Sequence, residues 1–197
     1  MNEYATLKQE DIMVRAQPTP NPYALKFIVN LPIKREGKAT FVTPLEAEGL
    51  PLIYNLFLID GVKQVHVFQN TISVTHTGEL EEGDLIEQVT AVIQSRMTVH
   101  DPEFGMEPTT QSPAPKDRSQ LSPEVRAIEE VLDRTIRPGL QADGGDVEVI
   151  SFEDNLLKVL YQGACGGCPS SMMGTLDAIQ SILRHELGNE EIKVQPI

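Results

Sequence analysis

The sequence predicts an α+β fold: two small α+β domains joined by a linker rich in Pro, Ser and Thr. Three observations carry this. Residues 101–115 hold four prolines and almost no aliphatic side chains, so they cannot bury enough apolar surface to order themselves. They open a semi-extended linker over 101–121. On both sides of it, runs with period-2 alternation stand among runs with helical spacing. Each side, 12–100 and 122–197, has its own apolar set, and 197 residues suffice for two modest cores.

The elements follow in chain order. Leu25-Lys26-Phe27-Ile28-Val29 reads as a strand, and residues 52–58 as a short helix stopped by Asp60-Gly61. Residues 62–68 and 71–75 alternate on either side of Gln69-Asn70, the pattern of a hairpin. Asp84 is placed to cap a helix whose stripe is Leu85, Val89, Val92, Ile93 and Met97. In the second half, Ser122-Pro123 is a good N-cap and first-turn pair, followed by Val125, Ile128, Leu132 and Ile136 at helical spacing. Arg137-Pro138 reads as the end of that helix, its cation complementing the dipole. Asp143-Gly144-Gly145-Asp146 reads first as a turn feeding a strand over 147–152, and second as a loop whose acids tune partner docking. Residues 156–162 form the return strand across Glu153-Asp154-Asn155. Met172, Leu176, Ile179, Leu183 and Leu187 mark a helix closed by Gly188-Asn189, and Ile192-Lys193-Val194 adds a last strand.

Composition removes several function classes. The net charge of −13 argues against nucleic acid, whose phosphates demand excess Lys and Arg, and against anionic lipid. Residues 1–100 carry 8 basic and 12 acidic groups, and 101–197 carry 8 and 17, so the acidity sits mainly in the second half. No apolar run approaches the ~20 residues of a membrane span. The start, Met1-Asn2-Glu3-Tyr4-Ala5, has neither the basic and apolar regions of a secretory signal nor the Arg-rich character of a transit peptide. A reducing cytoplasm is the expected location.

The chemistry concentrates in Cys165-Gly166-Gly167-Cys168, which holds the only two cysteines. Two thiolates cannot close a four-coordinate metal site. On spacing alone three readings stand open: a cluster bridging two chains, a thioredoxin-like dithiol, and a zinc half-site shared between chains. Glycine at 166 and 167 removes β-carbons that would crowd a cluster face. Cys168 precedes a helix, whose end field favours a thiolate. Ser170 and Ser171 read most simply as helix caps, and Met172-Met173 as adaptable core. His66, His76, His100 and His185 are scattered and read as surface or half-buried side chains. No general acid/base pair and no phosphate loop stands out.

The run Gly163-Ala164-Cys165-Gly166-Gly167-Cys168-Pro169-Ser170-Ser171 closely resembles the cluster loop of Nfu-type, NifU-like iron–sulfur carriers. Ile136-Arg137-Pro138 and Asp143-Gly144-Gly145-Asp146-Val147-Glu148-Val149 match the same family in order and spacing. Gly174 departs from it, since a Thr- or Val-like residue is usual there. Residues 14–100 resemble, more loosely, the amino-terminal domain that precedes this module. The likeness lies in Gln17-Pro18-Thr19-Pro20-Asn21-Pro22, Leu25-Lys26-Phe27, Leu56-Phe57 and Asp60-Gly61-Val62, with Leu50-Pro51-Leu52-Ile53 as a departure.

The resemblance implies a carrier or scaffold, not an enzyme. Cys165 and Cys168 would bind a 4Fe-4S cluster bridged between two subunits of a homodimer. An upstream assembly scaffold would be its donor and apo iron–sulfur proteins its recipients. The rival from another class is a dithiol/disulfide oxidoreductase using the same pair. The first domain has no cysteine and is expected to recognise clients rather than to ligate.

Overall fold

The computed structural model describes residues 4, 6–105, 121–164 and 169–197. The first domain is built on a five-stranded antiparallel sheet. Its strands are β1 (Val14–Pro18), β2 (Ala24–Val29), β3 (Lys38–Phe41), β4 (Val62–Phe68) and β5 (Thr71–His76), in the order β1-β2-β5-β4-β3. Helices α1 (Pro51–Leu56) and α2 (Glu82–Arg96) pack into the same core.

Alternation along the strands sorts the two faces. Phe27, Val65, Val67, Ile72 and Val74 point into a core with Leu52, Ile53 and Leu56 from α1 and Leu85, Val89 and Ile93 from α2. Their neighbours form one transverse row on the opposite face: Lys26 pairs with Ser73, Ser73 with His66, and His66 with Thr40.

The expected hairpin is present, with Gln69 at φ 51° in its turn. Asp84 is not a cap. The helix begins at Glu82 and its N-cap is Glu81, which makes no side-chain cap bond. Asp84 instead joins Glu82 in the first turn, where negative charge suits the helix dipole.

Residues 101–105 pack onto this domain. Lys34 Nζ donates to the Phe104 carbonyl at 2.7 Å and stands 4.2 Å from the Phe104 ring centre. That ring also meets His100 and Phe41. His100 is fully buried and its Nε2 lies 2.7 Å from the Ile33 carbonyl oxygen. The described part of the first domain therefore runs through Gly105.

The second domain pairs β6 (Gly145–Glu153) with β7 (Leu156–Gly163) as an antiparallel hairpin, turned through Asp154 and Asn155, both at positive φ. β8 (Lys193–Pro196) lies parallel to β7. The parallel pairing needs a crossover, which α5 (Pro169–Leu187) provides. α3 (Pro123–Thr135) and α5 pack on the sheet, with Ile128, Leu132, Val147, Val149, Leu157, Val159, Ile179 and Leu183 at the centre. Ser122 caps α3 as expected, accepting from the Val125 amide at 3.2 Å.

Arg137-Pro138 does not end a helix. It opens a second short one, α4 (Arg137–Ala142), with Pro138 in its first turn. Among the described residues, no helix is long and apolar enough to cross a membrane.

Candidate functional site

In the chain, the cysteine segment lies between β7 and α5. β7 ends at Gly163, and Ala164 is buried, its amide donating to the Gly144 carbonyl at 3.0 Å. α5 begins at Pro169, the residue after Cys168. Cys165 and Cys168, the ligands expected from the sequence, lie outside the described residues, as do Gly166 and Gly167. The side chains of Ser170, Ser171, Met172 and Met173 are likewise outside them.

The root of the segment meets the turn at residues 143–146. Gly144, at φ 81°, makes the turn after α4, and Gly145 starts β6. The turn reading of this motif is correct, and the turn also touches the strand end that leads to Cys165. Of its two acids, Asp143 is exposed and Asp146 is buried. Asp146 Oδ1 accepts from the Val147 amide at 2.6 Å, and Oδ2 accepts from Gln141 Nε2 at 3.2 Å. A further partner comes from the other domain: Lys38 Nζ is 2.9 Å from Oδ2. That acid is an internal anchor rather than a surface charge offered to a partner.

Arg137 closes the other side of Asp146. Its guanidinium reaches Glu129 at 2.7 Å, Asp133 at 2.5 Å and the Val147 carbonyl at 3.2 Å, with Asp146 Oδ1 3.6 Å away. Burial works against its charge, but the Glu129 and Asp133 carboxylates outweigh that and hold it more firmly protonated than an ordinary arginine. The helix-dipole role expected for Arg137 gives way to a buried ion network that ties α3, α4 and β6 together.

The first domain covers this corner. Lys26 Nζ donates to the Ala142 carbonyl. A β-carbon on Gly144 would collide with Ser73 Oγ, and one on Gly163 would sit 2.9 Å from His66 Cδ2. His66 is not the surface or half-buried residue expected. It is 2% exposed, its Nδ1 lies 2.8 Å from Thr40 Oγ1, and its pKa is lowered to about 4. Burial is the main cause. Asp146 works to raise the value, and Lys38 to lower it. No local signal marked His66, which occupies a polar step in a strand alternation. Among the described residues, no three His, Cys, Asp or Glu side chains converge as a metal site.

Two α+β domains, the second with CxxC placed in sequence between a strand and a helix, define a class of small two-domain α+β protein. Family models agree with both halves: "NifU-like domain" matches 128–195, and "Scaffold protein Nfu/NifU N terminal" matches 14–100. A human protein named NFU1 iron-sulfur cluster scaffold homolog, mitochondrial, is 36% identical over 88% of this chain and 67% of its own. NifU-like protein 4, mitochondrial, of Arabidopsis thaliana is 32% identical over 90% of this chain and 64% of its own. This chain thus spans about two thirds of the length of such relatives. The solution structure of a NifU-like protein from Saccharomyces cerevisiae is 16% identical, with a TM-score of 0.41 over 45% of this chain and 80% of that one. The chain belongs to the Nfu-type, NifU-like scaffold family.

The expected cytoplasmic location does not stand, because the human and Arabidopsis relatives are both named mitochondrial. The thiol argument selects a reducing compartment and does not say which one.

Proposed function

We propose that the chain is an iron–sulfur cluster scaffold and carrier. Cys165 and Cys168 supply two thiolates, a second copy of the chain supplies two more, and a 4Fe-4S cluster is held between them as cargo. It is received from an upstream assembly scaffold and passed to apo iron–sulfur proteins. The observation that carries this is the donor set: the only two cysteines stand at CxxC spacing between a strand end and a helix start, in a chain of this family. Thiolate is the usual protein ligand for such clusters, and two per chain leave half a coordination shell open.

The residues around the pair support carriage rather than turnover. The loop's root is anchored by the Ala164–Gly144 hydrogen bond, and its far end by α5. Anchored ends keep the two ligands near one another. The helix start after Cys168 favours negative charge, whether on free thiolates or on a loaded cluster.

Anaerobic reconstitution of Cys165→Ser and Cys168→Ser tests the ligand assignment. Each variant should lose the cluster absorption and keep the helix content of the wild type. A variant that retains a wild-type cluster would show that the other ligands suffice. A pair that only cycles between dithiol and disulfide would take up no stoichiometric iron and sulfide.

A further inference from the structure

We propose that the outer face of the first domain's sheet is a positioning surface for the cysteine loop, and that its docking slows release of the cargo; the second clause rests on the carrier reading above. The dock is the row Lys26, Ser73, His66 and Thr40, with Lys38 beside it on β3. Its occupant is the corner of the same chain's second domain made by Ala142, Gly144, Asp146 and Gly163.

Three independent observations meet at this contact. Gly144 approaches Ser73 and Lys26, and Gly163 approaches His66, so closely that a β-carbon on either would crowd the first domain's side chains, one on Gly163 also meeting the Gly144 carbonyl at 2.5 Å. The only acid of the corner that is buried, Asp146, draws one of its cations from the first domain. His66 and Ser73 sit at steps of the alternation that face away from their own core, yet both are buried. What buries them is the corner.

The contact is built to be reversible. Among the described residues, the Lys38–Asp146 ion pair and the Lys26–Ala142 carbonyl hydrogen bond hold it. Against these, His66 Nε2 and Ser73 Oγ are buried with no hydrogen-bond partner among the described residues. Orphaned polar atoms regain water when the domains separate, so they oppose docking.

Gly163 stands two residues before Cys165. Fixing that root narrows the conformations open to the first ligand, and preorganised ligands hold their cargo longer. The first domain, which has no cysteine, thereby contributes to retention without ligating.

The test uses full-length Lys38→Glu and Ser73→Tyr, with Lys38→Arg as the conservative control. Position 73 faces away from the first core, between Ile72 and Val74, so Tyr there blocks the corner and leaves the core untouched. In apo protein, the amide resonances of Gly144, Gly163 and Ala164 should shift in the Glu and Tyr variants. The two domains should then also tumble separately. In loaded protein, both variants should start with wild-type iron content and lose it to an iron chelator several-fold faster, while Lys38→Arg keeps the wild-type rate. Unchanged amide shifts would overturn the dock. Shifted amides with an unchanged loss rate would overturn its role in retention. Docking signals that vanish on dilution would assign the corner to a second copy and overturn the intramolecular arrangement. Failure of the wild type to load would refute the carrier reading separately, because the apo signals would persist.

Discussion

Gly163 lies against the ring of His66, so close that a β-carbon there would stand 2.9 Å from the imidazole Cδ2. A residue two places before the first cysteine thus touches a residue near the middle of the first domain's sheet. The contact explains why a histidine on the sheet's polar face carries a pKa near 4. Burial is the main cause, Lys38 adds to it, and together they outweigh Asp146, which favours the protonated ring.

Acid should therefore separate the domains. His66 binds a proton more readily when undocked, near its ordinary value of about 6.5, than when docked. Docking is fully supported above that value and is lost progressively as pH falls from about 6.5 toward 4. The effect is of order 1–3 kcal/mol across the window. Rotational correlation times of the two domains, measured by NMR relaxation between pH 7 and 4.5, should diverge as the pH drops. A common correlation time throughout would contradict this.

Arg137→Met should destabilise the second domain by about 3–5 kcal/mol, the cost of stranding buried carboxylates. Glu129 is more deeply buried than the arginine it faces. A residue serving only the helix dipole would cost under about 1 kcal/mol. Urea melts of the full chain, followed by resonances of the second domain, separate the two values.

Gly174→Ala should stabilise α5. The residue is exposed, and an added β-carbon would meet nothing within 4 Å. No packing reason for glycine is visible there, so the change should add about 0.5–1 kcal/mol. A rise of a few degrees in the second domain's melting temperature is the expected result, with unchanged cluster content.

Local pattern made most of the elements legible. The hairpin of β4 and β5, the capped start of α3 and the stripe of α5 each declare themselves within a few residues. β3 is four residues long, and three of its four are only partly buried, so it left no alternation to read. Residues 101–105 looked like linker because they open a stretch rich in Pro, Ser and Thr and carry two acids. Phe104 provides the aromatic packing there beside the buried Pro102, and one aromatic in a polar stretch is a weak signal. The cysteine pair was visible as chemistry, because residue type and spacing are local. The covering of its root by Lys26, Lys38, His66 and Ser73 was not visible. Those side chains come from four strands, and their common row exists only once the register is set. Asp146 and Arg137 were seen as motif residues, but burial, which no motif reports, decides that they are anchors.

The most direct test of the central claim is iron, sulfide and protein stoichiometry on anaerobically loaded protein, combined with sedimentation of the same sample. A bridged cargo predicts four iron and four sulfide per two chains, in a species of dimer mass that is absent from Cys165→Ser and Cys168→Ser. A monomer holding a complete cluster without external thiol would contradict the account.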